Sequence, residues 1–477
     1  MTERKSVHFI GIGGTGLSAI ARVLLESGYL VTGSDRSLSP LARSLQEQGV
    51  RIDIGHQAEN IQGAQVVVRS SAIPDDNVEV RAARDQGIPV LKRNEFLSSL
   101  MEGRMGIAVA GTHGKTTTTA MIAWLLTSLG QDPTFISGGV LNNFGTNAHA
   151  GKGQAFVIEA DEYDHMFLGL KPKIAVITNI EHDHPDCYPT PEDFFKAFDE
   201  FATQLGSDGI LLVCANDGGA ARLGEIARAR GQKVLFYAIR YSNNGSSNHP
   251  LAYMADALTP NLTGGMSFET VCTLTGDKFE SGAPINLRVP GRHNVQNALA
   301  ALAVAHQMKL PVEQAGKVLS EFRGTGRRFE VRGEVNGITV IDDYAHHPTE
   351  IRATLSAARM RYPRCRLWVV WQPHTYSRTR LLFHDFIAAF EQADHVLVTD
   401  IYAAREQQPE DGFSAQQIVA AMPYPNAIYI PDFSQATKFL VDRLVPGDVL
   451  MVLSAGDADQ ISTQVLAQLK ERSEASD

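Results

Sequence analysis

The chain has 477 residues, 44% of them apolar and 20% charged, enough for about three globular domains of ordinary composition. Its net charge of −10 argues against a bulk electrostatic grip on nucleic acid or anionic lipid, so a polyanionic ligand must be held by local positive sites. Four scattered cysteines without a C-x-x-C pair read as reduced packing residues, and no apolar run approaches a membrane span, which predicts a soluble cytoplasmic protein.

Residues 7–10 read as a strand leading into Gly11-Ile-Gly13-Gly14-Thr15-Gly16, which opens a helix ending near Gly28. A second strand at 30–33 ends at Ser34-Asp35, and 65–68 and 88–91 read as further strands of the same parallel sheet. Glycines at this spacing, with an acidic residue about 20 positions on, form the dinucleotide fingerprint: backbone N–H groups at a helix N-terminus hold a diphosphate. Taken alone, this loop suits a nicotinamide cofactor and hence an NAD-dependent dehydrogenase.

A boundary near 104 precedes the most informative segment. Residues 106–110 predict a buried strand, Gly111-Thr112-His113-Gly114-Lys115-Thr116-Thr117 a phosphate loop, and the apolar pattern up to Gly130 a helix. Lys115 supplies charge for phosphate oxygens, and the Thr116 hydroxyl can ligate Mg²⁺. The strict ATP-type pattern asks for glycine at 109, where the chain has Val109. A strand at 155–159 runs into Glu159-Ala-Asp161-Glu162 and a strand at 173–179 into Glu181-His182-Asp183-His184. Carboxylates at the carboxyl ends of parallel strands suit Mg²⁺; His182 and His184 could also serve a Zn²⁺ hydrolase, but the neighbouring ATP-type loop favours magnesium. Strands at 210–213 and 233–237, a surface loop at 241–250, antiparallel strands at 266–274 and 285–289 and an alanine-rich helix at 294–306 complete this block.

The third unit begins near Gly324, with a hairpin at Asn336-Gly337 and strands at 338–341, 366–371, 395–399, 427–430 and 449–453. It carries Arg327-Arg328, Asp342-Asp343-Tyr344, His346-His347-Pro348 and Gln372-Pro-His374-Thr375-Tyr376-Ser-Arg378, and residues 471–477 read as a frayed tail. The expected architecture is three consecutive Rossmann-like α/β domains over 1–103, 104–323 and 324–477, the central one a P-loop ATPase-type domain with a few extra antiparallel strands. One diphosphate-type loop and one ATP-type loop together favour a nucleotide-diphosphate substrate and a phosphoryl donor over a nicotinamide enzyme. A non-catalytic nucleotide-gated binding protein is the third reading.

Gly111-Thr-His-Gly-Lys-Thr-Thr-Thr118, Glu159-Ala-Asp-Glu162, Asp183-His184, Gly291-Arg-His-Asn-Val-Gln-Asn297 and Asp342-Asp-Tyr-x-His-His-Pro348 together resemble the Mur ligases, over nearly the whole chain. Within that family, His8-Phe-Ile-Gly-Ile-Gly-Gly-x-Gly16, Ser70-Ser-Ala-Ile73 and Gln372-Pro-His-x-Tyr-x-Arg378 are similar to the members that add L-alanine to UDP-N-acetylmuramate. Glu159-Ala-Asp-Glu-Tyr163 is shared with members that recycle murein tripeptide, the alternative within the family. The resemblance implies ATP and Mg²⁺, an acyl-phosphate intermediate, small-molecule substrates, no nucleic acid polymer, no membrane, and a monomer or homodimer that closes on its ligands. By the same carry-over, Lys115 and the loop from Gly111 to Thr117 would hold the ATP phosphates, and Thr116, Glu159 and His184 the metal. Asn294, Asn297, Arg327 and Asp342 would complete the ATP site. His346 and Arg378 would take the incoming amino acid, with Tyr344 limiting its side chain. Gly11, Gly13, Gly14, Thr15, Gly16, Asp35 and Ser70 would hold the UDP-sugar. Two positions depart from the pattern: Asp199 stands where several relatives have a carbamoylated lysine, and Thr375 where some alanine-adding members have a second arginine.

Overall fold

The computed structural model describes residues 5–240, 249–274, 279–280 and 284–474. The expected loop at 241–250 falls mostly outside the described residues, as do residues 475–477 of the expected tail; the rest of that tail continues the helix Asp459–Glu474. No helix among the described residues is long and apolar enough to cross a membrane.

Three sheets follow one another along the chain. The first has five parallel strands in the order Arg51–Ile54, Leu30–Asp35, Ser6–Ile10, Val66–Arg69, Val90–Lys92. Its middle strand, Ser6–Ile10, is buried along its whole length, as a strand covered by helices on both faces must be. The central sheet has eleven strands, and a run of parallel partners surrounds Met105–Ala110, which lies between Ile174–Ile177 and Ala155–Glu159. Antiparallel additions flank it: Thr146–His149 on Thr134–Leu141 at one edge, and Met266–Cys272 on Leu251–Pro260 at the other. The third sheet has six strands and is parallel except for the hairpin of Glu330–Val335 with Ile338–Asp343. The turn of that hairpin places both Asn336 (φ +52°) and Gly337 (φ +73°) in the left-handed region, as a two-residue type I′ turn requires.

Five strands lie outside the sequence reading, the two-residue Phe279–Glu280 among them. Thr134–Leu141 is interrupted by Gly138-Gly139; Arg51–Ile54 and Thr146–His149 are four-residue segments with polar positions; Leu251–Pro260 follows a polar run. Arg51–Ile54 and Thr146–His149 are edge strands without a clear apolar period, whereas Thr134–Leu141 and Leu251–Pro260 are paired on both sides and are hidden by their glycines and by the preceding polar run. In the central domain the helix Lys115–Ser128 packs against Arg292–Gln307, whose alanines let the two backbones approach. The carboxyl ends of Met105–Ala110, Ala155–Glu159 and Ile174–Ile177 open toward the first and third domains, the crevice where open α/β sheets bind ligands.

Candidate functional site

The phosphate loop turns from Ala110 into the helix starting at Lys115. Gly114 has φ +79°, and a Cβ there would lie 2.8 Å from Asn297 Oδ1, so only glycine lets the loop pass beneath the helix Arg292–Gln307. Side chains and backbone after the neighbouring strand pin the loop. Thr112 Oγ1 donates to the Glu181 carbonyl (2.7 Å), and the His113 N–H donates to Asn179 Oδ1 (2.7 Å). Thr178 Oγ1 and Asn179 Nδ2 both donate to the His113 carbonyl. Lys115 Nζ donates to the carbonyls of Gly111 (2.5 Å) and Thr112 (3.0 Å) and pairs with the Glu162 carboxylate at 2.9 Å. Burial works against the Lys115 charge, yet Glu162 and Glu159 outweigh it and hold the ammonium above its ordinary pKa.

Thr116 Oγ1 donates to Glu159 Oε1 (3.0 Å), and the Gly138 N–H to Glu159 Oε2 (2.5 Å). A Cβ at Gly138 would sit 2.6 Å from Glu159 Oε1, so glycine admits the carboxylate. Burial pushes Glu159 up despite Lys115 and these donors: a carboxylate short of positive charge. His184 Nε2 stands 3.5 Å from Glu162 Oε1 and 3.6 Å from Asp183 Oδ2. Burial opposes its protonation, but Asp183 and Glu162 raise its pKa. A hydroxyl, carboxylates and one imidazole around this spot form an oxygen-rich donor set that fits Mg²⁺.

Two cavities flank the loop. One, of about 300 Å³, lies between the central and third domains and is lined by His113, Gly114, Thr116, Thr117, Asn294 and Asn297, with Arg328 and Asp343 opposite. The other, of about 580 Å³, is lined by all three domains: Thr15, Gly16 and Arg93; Thr112, Lys115, Glu159 and His184; Arg327, Tyr344, His346 and Arg378. Arg378 forks onto Asp183 (Nε–Oδ1 2.7 Å, Nη2–Oδ2 3.2 Å), both buried, and this arginine holds Asp183 well below the carboxylate range against the cost of burial. His346 Nδ1 donates to the Tyr344 carbonyl (2.9 Å), and burial pushes this imidazole down to about 3.

Some expected site residues lie elsewhere. Gly11, Gly13, Gly14, Asp35 and Ser70 line neither cavity. Asp35 Oδ2 instead accepts from the Gly13 N–H (2.8 Å), bracing the turn, and the Ser70 N–H donates to the Ile10 carbonyl. Gly111 is likewise in neither lining, pressed against Thr178. Asp342 and Asp343 point to opposite faces of their strand. Asp343 faces the smaller cavity, whereas Asp342 packs with Arg332 and Ser462 and lines neither. Asp199 forms a bidentate pair with Arg230 between two surface helices and takes no part in the site.

The structure adds residues that no motif marked. Arg93 reaches Asp161 Oδ2 (2.6 Å) and lies against Gly16; Glu350 meets both His113 Nδ1 (3.2 Å) and Arg328 (3.4 Å). Tyr237 lines the smaller cavity as well, beside His293 of the 291–297 motif, and His374 of the 372–378 motif lines the larger. Their positions depend on domain packing, and an isolated Arg, Glu or Tyr in sequence carries no signal for it.

Residues 6–105, 109–305 and 327–456 match the models of the "Mur ligase family, catalytic domain", the "Mur ligase middle domain" and the "Mur ligase, glutamate ligase domain". A UDP-N-acetylmuramate–L-alanine ligase of Pelotomaculum thermopropionicum is 42% identical over 477 residues, covering 99% of each chain. One from Geotalea daltonii is 42% identical over 469 residues, covering 98% of each. Among solved structures, the UDP-N-acetylmuramate-alanine ligase of Thermotoga maritima superposes with a TM-score of 0.79 at 27% identity, over 98% of this chain and 99% of that one. A murein peptide ligase of Psychrobacter arcticus gives 0.72 at 27%, over 98% of each.

Proposed function

We propose that this chain, which belongs to the Mur ligase family, joins L-alanine to UDP-N-acetylmuramate, converting ATP to ADP and phosphate and giving UDP-N-acetylmuramoyl-L-alanine. The observation that carries the reading is the single cleft of about 580 Å³ in which a diphosphate-type loop end, a phosphate-loop lysine and a buried arginine from three domains face one another. The relatives described above are ligases, and a nicotinamide dehydrogenase leaves Lys115, Glu159 and the third domain without a task. ATP as phosphoryl donor places the reaction in the cytoplasm.

The muramate carboxylate attacks the γ-phosphate of ATP to give an acyl phosphate, and the alanine amine then displaces phosphate through a tetrahedral intermediate. Such transfer depends on positioning and charge neutralisation rather than on covalent help from the enzyme. The loop N–H groups and Lys115 take the β- and γ-phosphates, and Lys115 exchanges Glu162 for phosphate oxygen as it does so. Asn294 and Asn297 line the smaller cavity for the nucleoside, with Arg328 and Asp343 across from them. Thr116, Glu159 and His184 would hold Mg²⁺, whose charge offsets that of the phosphate oxygens. Thr15 and Gly16 present the first-domain helix N-terminus to the UDP-sugar.

In the third domain Arg378 takes the alanine carboxylate, and Tyr344 limits the space beside it. An imidazole held at about 3 is far too weak a base to deprotonate an ammonium, so His346 orients the amine instead. With Nδ1 donating to the Tyr344 carbonyl, its Nε2 carries the lone pair that accepts from the amine.

Phosphate release tests the assignment. It is measured with ATP and UDP-N-acetylmuramate, adding L-alanine, glycine, L-serine or murein tripeptide in turn. Release that requires both the UDP-sugar and L-alanine is the expected result. Release with the tripeptide alone would make this a recycling ligase, and no release with any acceptor would remove the ligase reading.

A further inference from the structure

His113, Glu181 and His347 meet at the seam between the central and third domains. One ligand atom from each lies within 4.8 Å of the others. Glu181 Oε2 is 3.0 Å from His113 Nε2 and 3.8 Å from His347 Nδ1. Metal–ligand bonds of about 2.0–2.1 Å put the donors of a tetrahedral site about 3.3 Å apart, so these spacings close on a cation with small side-chain shifts. None of the catalytic roles assigned above uses Glu181 or His347.

We propose that these three side chains form a site for a transition-metal cation of the Zn²⁺ class, separate from the magnesium position at Thr116 and Glu159. The donors stand on independently pinned backbone. His113 is fixed by Thr178 and Asn179, Glu181 by reciprocal bonds with Thr112, and His347 caps the helix Pro348–Arg361. The remaining atoms are arranged as a metal site's outer partners are. Glu181 Oε1 accepts from Thr349 Oγ1 (2.8 Å), leaving Oε2 for the cation. His113 Nδ1 faces Glu350 Oε1 at 3.2 Å, the carboxylate–histidine relay that orients a ligating imidazole and strengthens it as a donor. His347 is 1% exposed, its Nε2 has no hydrogen-bond partner, and its Nδ1 has only a 3.3 Å contact from the Thr349 N–H. A cation at Nδ1 would take the place of that long Thr349 contact, with Nε2 carrying the ring proton.

Two imidazoles and a carboxylate select Zn²⁺, Co²⁺ or Ni²⁺ over Mg²⁺. Three protein donors leave a fourth position open, and because His113 and Glu181 also line the smaller cavity, that position lies toward it. With two donors from the central domain and one from the third, the bound cation fastens this seam.

Calorimetric titration of the chelator-treated full chain with ZnCl₂, without nucleotide, tests the site. One saturable equivalent is expected, with affinity falling at least tenfold in both His347→Ala and Glu181→Gln and unchanged in His184→Ala. Glu181→Gln keeps the side-chain shape and carries the test if His347→Ala does not fold. Co²⁺ in place of Zn²⁺ should give the visible absorption of a tetrahedral site, lost in the same two variants. Absence of saturable binding, equal binding in all variants, or loss in His184→Ala alone would each overturn the assignment.

Discussion

Lys115 reaches no solvent-exposed acid but the buried carboxylate of Glu162, and that pairing defines its role: a charge stored against an internal partner until phosphate replaces it. Lys115→Ala removes the phosphate ligand and leaves Glu162 buried without its counter-charge. Turnover measured by phosphate release should fall by roughly 10²–10³-fold or more, as for loss of one transition-state donor. Activity close to that of the unaltered chain would remove the phosphate-loop assignment. Asp342 gives a prediction of opposite kind. Its neighbour Ser462 donates to the Asp459 carbonyl, neither Asp342 oxygen receives a hydrogen bond, and burial lifts the carboxyl from 3.8 to about 6. The folded state therefore holds this proton more tightly than the unfolded chain, a contribution complete below about pH 4 and lost as the pH rises through 6. Asp342→Asn should thus stabilise the protein at pH 8, by on the order of 3 kcal/mol, and not at pH 4. Chemical denaturation at the two pH values checks this, and a gain of equal size at both would refute the ionisation argument.

At the level of elements, the phosphate loop and the helix Arg292–Gln307 fit together only through the missing Cβ of Gly114. Gly114→Ala imposes a left-handed alanine and a clash with Asn297, so KM for ATP should rise at least tenfold while binding of the UDP-sugar to the first domain persists. Equal loss of both would mean general unfolding rather than a local effect. The short helix Tyr376–Leu381 and the segment after Ile174–Ile177 are joined by the buried Arg378–Asp183 fork. Arg378→Lys keeps the charge and loses the fork. KM for L-alanine should then rise at least tenfold with little change in KM for ATP; a rise confined to ATP would assign Arg378 to loop positioning alone.

At the scale of the whole molecule, the domains are joined by polar contacts: Arg93 to Asp161, Thr349 to Glu181, Arg378 to Asp183. Lys115 and Arg378 are each neutralised by an internal acid, so a phosphate or carboxylate ligand must exchange partners at the places where the domains touch. We expect the domains to draw together on ligand binding. X-ray scattering should record a smaller radius of gyration with UDP-N-acetylmuramate and a non-hydrolysable ATP analogue than without them. An unchanged radius would count against domain closure.

Much of this architecture is legible in the chain. Strand, glycine turn and helix N-terminus are local features, so residues 106–116 announce a phosphate loop whatever surrounds them, and Glu159 and His184 follow strands whose apolar runs mark them as buried. The combination of motifs already carries the family resemblance. Edge strands such as Arg51–Ile54 and Thr146–His149 escape because their polar positions do not oppose their location. The adjacent pair Asp342-Asp343 also escapes. Composition treats the two alike, and strand alternation alone sends Asp343 to the cavity and Asp342 into the packing behind it.

Local chain chemistry thus settles where anions can bind within each domain: helix N-termini, a lysine and carboxylates at strand ends need only their neighbours in sequence. Tertiary packing alone decides which charges meet between domains. Arg378 and Asp183 are 195 residues apart, Arg93 and Asp161 are 68 apart, and nothing in either segment names its partner. For Arg378 and Asp183 the selectivity comes from burial, since a charge removed from water is tolerated only where a counter-charge of matching geometry meets it.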